Sequence, residues 1–269
     1  MSIILRLEKS SIINLPETRQ VLSVSGNSNI ILRIYLRLLH KLRYIRDNNM
    51  KTLTTSEKKI ILDDWKNALE VYEKYKTLYL IKRNGPILCG VYLKPVSHYK
   101  YYVPEFHTYS LLSSFPAIVL ETSSSLLNKK NVEDAISFLR HTTKLQDLVG
   151  KFREQCPVAF CGELSFSQLN KLYEDDINTS MIYPDLTMKN HVLLAFWFGY
   201  TEKSQQLILR YKEIIKSWPD EAKRRFNGDN AWEEDVRSQM DLDKLHNTVN
   251  EELAKFKLTK LKDHGLLPD

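Results

Sequence analysis

Apolar residues along this chain switch between two spacings, and the switches mark its elements. Residues 3–7 and 20–24 are short apolar runs with strand character, interrupted by Pro16 and closed by Gly26-Asn27-Ser28-Asn29. From Ile30 to Arg46 the spacing becomes helical, with Asn29 as N-cap. Arg33, Arg37, His40 and Lys41 then share one side, and Ile31, Leu38, Leu42 and Ile45 the other. That pattern predicts a basic amphipathic helix, closed by Asp47-Asn48-Asn49. Thr54 and Glu57 form a T-x-x-E capping box. Behind it Ile61, Trp65, Ala68, Leu69, Tyr72, Tyr75 and Tyr79 keep a 3–4 spacing, which predicts one long core helix reaching Ile81.

Asn84-Gly85-Pro86 stops that helix, and the period shortens. Residues 87–94, 99–104, 106–112 and 116–122 read as strands, rich in Ile, Val, Tyr and Phe and broken by Pro95, Pro104 and Pro116. Sequential short strands predict an antiparallel meander. Helical spacing returns at Asn131, which with Asp134 starts a helix predicted to reach Gln155. Ser165 caps a helix through Tyr173, and residues 187–200 are apolar on most sides, as in a buried helix. Residues 202–217, 219–227, 230–240 and 241–256 follow as helices. In the last, Leu242, Leu245, Val249, Leu253 and Phe256 form a stripe expected to pack on the core, since it is too short for a coiled coil.

The predicted fold is α+β and predominantly helical, with a small antiparallel meander flanked by N-terminal and C-terminal helices. Two parts are expected: residues 1–125, a basic part with two helices and the meander, and residues 126–269, a helical part. The soft boundary falls at 125–131, and one continuous domain is the alternative.

Composition adds constraints. A chain of 269 residues with 43% hydrophobic and 27% charged residues can bury a full core. Only 8 glycines leave few loops able to cradle phosphate. Three cysteines, Cys89, Cys156 and Cys161, do not make a disulfide framework. Arg6 and Glu8 interrupt the first apolar stretch, so no signal peptide is expected. The longest apolar run, residues 192–198, is far short of the roughly 20 residues a membrane span needs. A cytoplasmic, soluble protein with no membrane span is the expectation.

Charge says more about partners. The first hundred residues carry 18 Lys and Arg against 8 Asp and Glu, while the remaining 169 carry 21 against 25. A positive N-terminal part favours an acidic protein face, a phosphate ligand or nucleic acid. Candidate anion or nucleic-acid contacts are Arg33, Arg37, His40 and Lys41 on the helix, and Lys94, Lys100 and Tyr101 among the strands. There, tyrosines interleave with bases, as on surfaces that stack unpaired nucleobases.

Signatures of catalysis are missing. There is no G-x-S-x-G, no phosphate-binding G-x-x-x-x-G-K-[ST] and no G-x-G-x-x-G, so no cofactor is expected. Cys156 and Cys161 stand C-x4-C without a second pair, and His98, His107, His141, His191 and His246 are scattered, so no metal is expected. Glu121, at the end of an apolar run, is the carboxylate best placed for hydrolytic chemistry, and a Cys–His pair formed in space is a second possibility. Three functions follow in order. The first is a non-enzymatic binding protein acting through protein–protein contact, a subunit or adaptor of an assembly or an antitoxin- or immunity-type inhibitor. The second is a nucleic-acid-associated protein using the basic helix. The third is a hydrolase or nuclease with an unrecognised site.

Overall fold

The structure, a computed structural model, describes residues 52–119, 121–158, 160, 163–177 and 183–269. Residues Met50–Asp269 form one compact unit, and the 125–131 link lies within it. The strands predicted at 3–7 and 20–24 and the basic helix at 30–46 lie outside the described residues.

The unit has an α+β fold. Helix α1 (Thr55–Ala68) starts at the predicted capping box: Thr54 Oγ1 accepts from Glu57 N, and Glu57 Oε2 accepts from Thr54 N. Its apolar stripe buries Ile61 and Trp65 completely. The helix ends at Ala68 and does not continue to Ile81. Strands β1 (Glu73–Lys76) and β2 (Tyr79–Asn84) follow as a hairpin. The correction has a physical cause. The Tyr- and Ile-rich segment gains a paired neighbour in β3 (Ile87–Pro95), along which β2 pairs at every residue. Spacing alone does not separate a buried strand from a helix.

Strand β4 (Tyr101–Ser110) fuses the predicted strands 99–104 and 106–112. Pro104 does not break it. On that side β4 meets β5 (Thr122–Ser125) along residues 105–108 and β6 (Ile136–Ser137) at Tyr101 and Tyr102. Pro104 occupies the gap between these neighbours, where its carbonyl still accepts from Leu126 N at 2.8 Å. The missing N–H removes no ladder bond. The strand predicted at 116–122 is displaced to Thr122–Ser125. Sheet order is β1-β2-β3-β4-β5, antiparallel throughout, with β6 on β4.

Every residue of β4 after Tyr101 is buried, so the strand is covered on both faces. On one face Tyr102 bonds Trp65 of α1 and His141 of α2 (Phe138–Gln155). Trp65 and Phe152 stack edge-on at 5.5 Å, and Phe106 meets Phe160 at 5.9 Å. Helix α2 starts at Phe138 rather than Asn131, because residues 126–134 form a turn that Asn128 Oδ1 ties by accepting from Lys130 N and Val132 N. Ser137 caps it, its Oγ accepting from Arg140 N at 3.1 Å.

The remaining chain is helical. Strand β7 (Leu164–Ser165) leads into α3 (Phe166–Ile177), α4 (Pro184–Trp197), α5 (Thr201–Lys216) and the short α6 (Asp220–Lys223). A 3-10 turn (Arg224–Phe226), α7 (Gly228–Gln239) and α8 (Leu242–Lys255) follow, and β8 (Leu266–Leu267) pairs parallel to β7. The single helix expected over 219–227 is thus a short helix and a 3-10 turn. Helix α4 is the buried centre of this half, with Val192, Leu193, Leu194 and Ala195 fully covered. The α8 stripe packs on the core through Leu245, Val249 and Leu253, while Leu242 is exposed. Phe256 just beyond it reaches Tyr109 of β4 at 5.8 Å. Among the described residues no helix is long and apolar enough to cross a membrane.

Candidate functional site

The cleft that best offers itself to a partner lies between α4, α7 with the turn before it, and residues 114 and 115 after β4. Backbone geometry opens it. Pro184 begins α4, where a missing N–H and a fixed φ are tolerated. Asn227 at φ 61° and Gly228 at φ 92° turn the chain sharply into α7. Trp232 Nε1 donates to the Asp185 carbonyl at 3.0 Å and locks α7 to the start of α4. The resulting cleft of about 470 Å3 has aromatic walls, Phe115, Tyr183, Phe226 and Trp232. Phe115 and Tyr183 meet edge-on at 5.1 Å. The Arg225 guanidinium lies 5.7 Å from the Tyr183 ring centre and pairs with Asp185. Lys189 pairs with Asp235 at 3.1 Å across the cleft.

A second concavity of about 450 Å3 shares Ser114 and Lys189 with the first and continues along α8 past Lys244, Thr248 and Glu251. Ser114 stands at the junction. Its Oγ donates to Glu252 Oε1 at 2.8 Å, and the buried Glu252 carboxylate also accepts from Tyr109 OH at 3.2 Å and Lys255 Nζ at 2.7 Å. Lys255 donates as well to the Phe115 carbonyl. A lysine occupied by a carboxylate and a carbonyl offers no lone pair to deprotonate Ser114, and no histidine lines either concavity. The arrangement anchors the loop carrying Phe115 and does not resemble an activated nucleophile.

Of the sequence-derived candidates, Arg33, Arg37, His40 and Lys41 lie outside the described residues. Lys94 on β3 donates to Glu133 at 2.7 Å and pairs with Glu105 at 3.5 Å, and its hydrogen bond holds the Glu133 carboxyl below its usual range. Lys100 donates to Glu57 at 2.5 Å. Both cations are therefore answered within the protein. Tyr101 is exposed and meets Tyr99 edge-on at 6.0 Å, whereas Tyr102, Phe106 and Tyr109 are buried.

Glu121 is buried, one residue before β5, and lines neither concavity. Its carboxylate accepts from Ser110 N at 2.8 Å, Asn190 Nδ2 at 2.7 Å and Tyr173 OH at 3.4 Å. Burial pushes it up to about 7. Cys89 and Cys156 are both pushed up to about 12 by burial, which favours their protonated thiols. Cys161 lies outside the described residues. Among those residues no three His, Cys, Asp or Glu side chains converge as a metal site would require.

The cleft escaped sequence reading because its walls come from three distant segments. Asn227-Gly228, a turn dipeptide at the end of the predicted helix 219–227, was the available signal. No protein-family model matches the chain, and neither a curated protein nor a solved structure matches it significantly.

Proposed function

We propose that the chain is a non-enzymatic binding protein that works inside the cell through protein–protein contact, with the cleft between α4 and α7 and its continuation along α8 as its binding surface. The occupant is an extended polypeptide segment carrying an apolar anchor. The carrying observation is the pair of adjoining concavities joined at Ser114 and Lys189, the first with aromatic walls and side-chain charges already paired across it. Preorganised aromatic walls favour an apolar anchor, and a partly neutralised rim favours specificity over bulk charge attraction. The predominance of helix around the sheet, and the roles of subunit, adaptor or inhibitor, belong to this same reading.

The test is capture from native extract by tagged full chain, after nuclease treatment and a high-salt wash, compared with Ala231→Trp. Ala231 lines the cleft on a half-buried position, so tryptophan there fills it. One dominant protein, lost on A231W with an unchanged melting profile and reproduced with purified components, supports the reading. Equal capture by both chains overturns it.

A further inference from the structure

A separate concavity of about 270 Å3 lies on other elements, between α1 and the β1–β2 hairpin, lined by Lys58, Lys59, Lys74, Tyr75 and Lys76. Two irregularities assemble it. The register of β1 against β2 shifts between Lys74 and Lys76, a bulge at Tyr75. Side chains of successive strand residues normally alternate, and the bulge brings three consecutive ones to one hollow. The turn that follows holds Leu78 at φ 58°, a left-handed conformation that a branched apolar residue adopts at a cost. On the other side, Lys58 and Lys59 stand in the first turns of α1, against the positive end of its dipole, so the dipole does not explain them. Asp63 answers only two of these lysines, Lys59 at 3.4 Å and Lys74. Among the described residues Lys58 has no carboxylate partner, and Lys76 has only the Tyr75 ring at 4.9 Å.

We propose that this hollow binds the phosphate backbone of single-stranded nucleic acid, with the lysines on phosphates and Tyr75 as a stacking face. Exposed lysines hold one small phosphate weakly, but along a polyanion each neutralised phosphate releases counterions and the gains accumulate. No glycine-rich backbone cradle for an isolated phosphate accompanies them. The site is distinct from the cleft, and its failure would leave the protein-binding reading untouched.

The experiment is fluorescence polarisation of the full chain with a labelled single-stranded oligonucleotide of about twelve nucleotides, across a salt series, with inorganic tripolyphosphate and anionic phospholipid vesicles as rivals. Variants are Lys58→Glu with Lys76→Glu, Tyr75→Ala, and the charge-matched control Lys129→Glu with Lys130→Glu on the 126–134 turn, which lines no part of the hollow. Glutamate at position 58 favours the α1 dipole, so loss of binding is not loss of the helix. The expected result is at least a tenfold weaker complex for K58E/K76E, with the slope of log affinity against log salt reduced by about 1.4. Y75A is expected to weaken binding at least about fivefold at constant slope. Equal losses in the control pair, tighter binding of tripolyphosphate or vesicles than of the oligonucleotide, or no salt-dependent binding would each overturn the proposal.

Discussion

Glu121 shows how a residue chosen for chemistry becomes a determinant of stability. Its carboxylate takes Asn190 Nδ2 at 2.7 Å, yet Asn190 Oδ1 is buried without a partner. An amide flip would let that oxygen accept a hydrogen bond from a neutral carboxyl, while the donors at hand favour the carboxylate and burial outweighs them. Because burial raises the folded pKa to about 7 from an ordinary value of 4.5, the native state holds a proton between these values that the unfolded chain has lost. This contribution therefore strengthens the fold as pH falls from 7 to 4.5 and is absent above 7. Glu121→Gln, with Asn190 flipped to accept from the new amide, is expected to raise stability at pH 8 by about 1–3 kcal/mol. It should also flatten that segment of the pH–stability curve, read by urea melts. His107 and His191 act in the opposite direction. Burial lowers them to about 4 and about 3, so each loses stability as pH falls below 6.5. His191 remains neutral between Tyr211 OH at 2.7 Å and Asn170 Oδ1 at 3.0 Å. His107 has neither nitrogen bonded, and its ring lies so close to Gly90 that a Cβ there would stand 2.1 Å from Nε2. His107→Phe should therefore extend the acid limit of folding, and Gly90→Ala should unfold the sheet at lower denaturant. Glu121 was legible as a carboxylate closing an apolar run, but its burial just before β5 was not. Its partners were not, because Asn190 and Tyr173 are 69 and 52 residues away in the chain.

At the scale of elements, local chemistry was legible where it was complete and misled where packing decided. The Thr54–Glu57 box marked the start of α1 correctly, and Thr54→Ala is expected to cost about 1 kcal/mol in a denaturant melt. The end of α1 was misjudged because Tyr72, Tyr75 and Tyr79 happen to keep helical spacing while β3 supplies a full ladder to the segment. Pro104 misled for the converse reason: a proline breaks a strand only where a neighbour needs its N–H, and the gap between β5 and β6 needs none. The junction of α1, β4 and α2 is a chain of directed bonds that no pattern displays. Trp65 Nε1 donates to Tyr102 OH at 2.9 Å, Tyr102 donates to His141 Nδ1 at 2.8 Å, and His141 Nε2 donates to Asp64 at 3.0 Å. Every donor and acceptor is satisfied only with His141 neutral, the state that burial also favours. Tyr102→Phe leaves the Trp65 and His141 nitrogens unpartnered and is expected to lower stability by about 1–3 kcal/mol.

At the scale of the whole unit, α+β class and the order of most helices followed from the period of apolar residues, while the surface that would meet a partner did not. Phe115, Tyr183 and Trp232 converge only after the sheet and α4 are in place. The last residues tie distant segments of the unit together: Asp263 accepts from Gly85 N at 2.8 Å, Asn84 Nδ2 donates to the Gly265 carbonyl at 2.7 Å, and Asp269 Oδ1 accepts from Ser167 N at 2.8 Å. The most direct test of the account installs a photo-crosslinking amino acid at Ala231 in the full chain and another at the exposed Lys129, and irradiates both in native extract. The account predicts crosslinks from position 231 to one short segment of one protein, with none of that product from position 129. Crosslinks to the same proteins from both positions, or none from position 231, would contradict it.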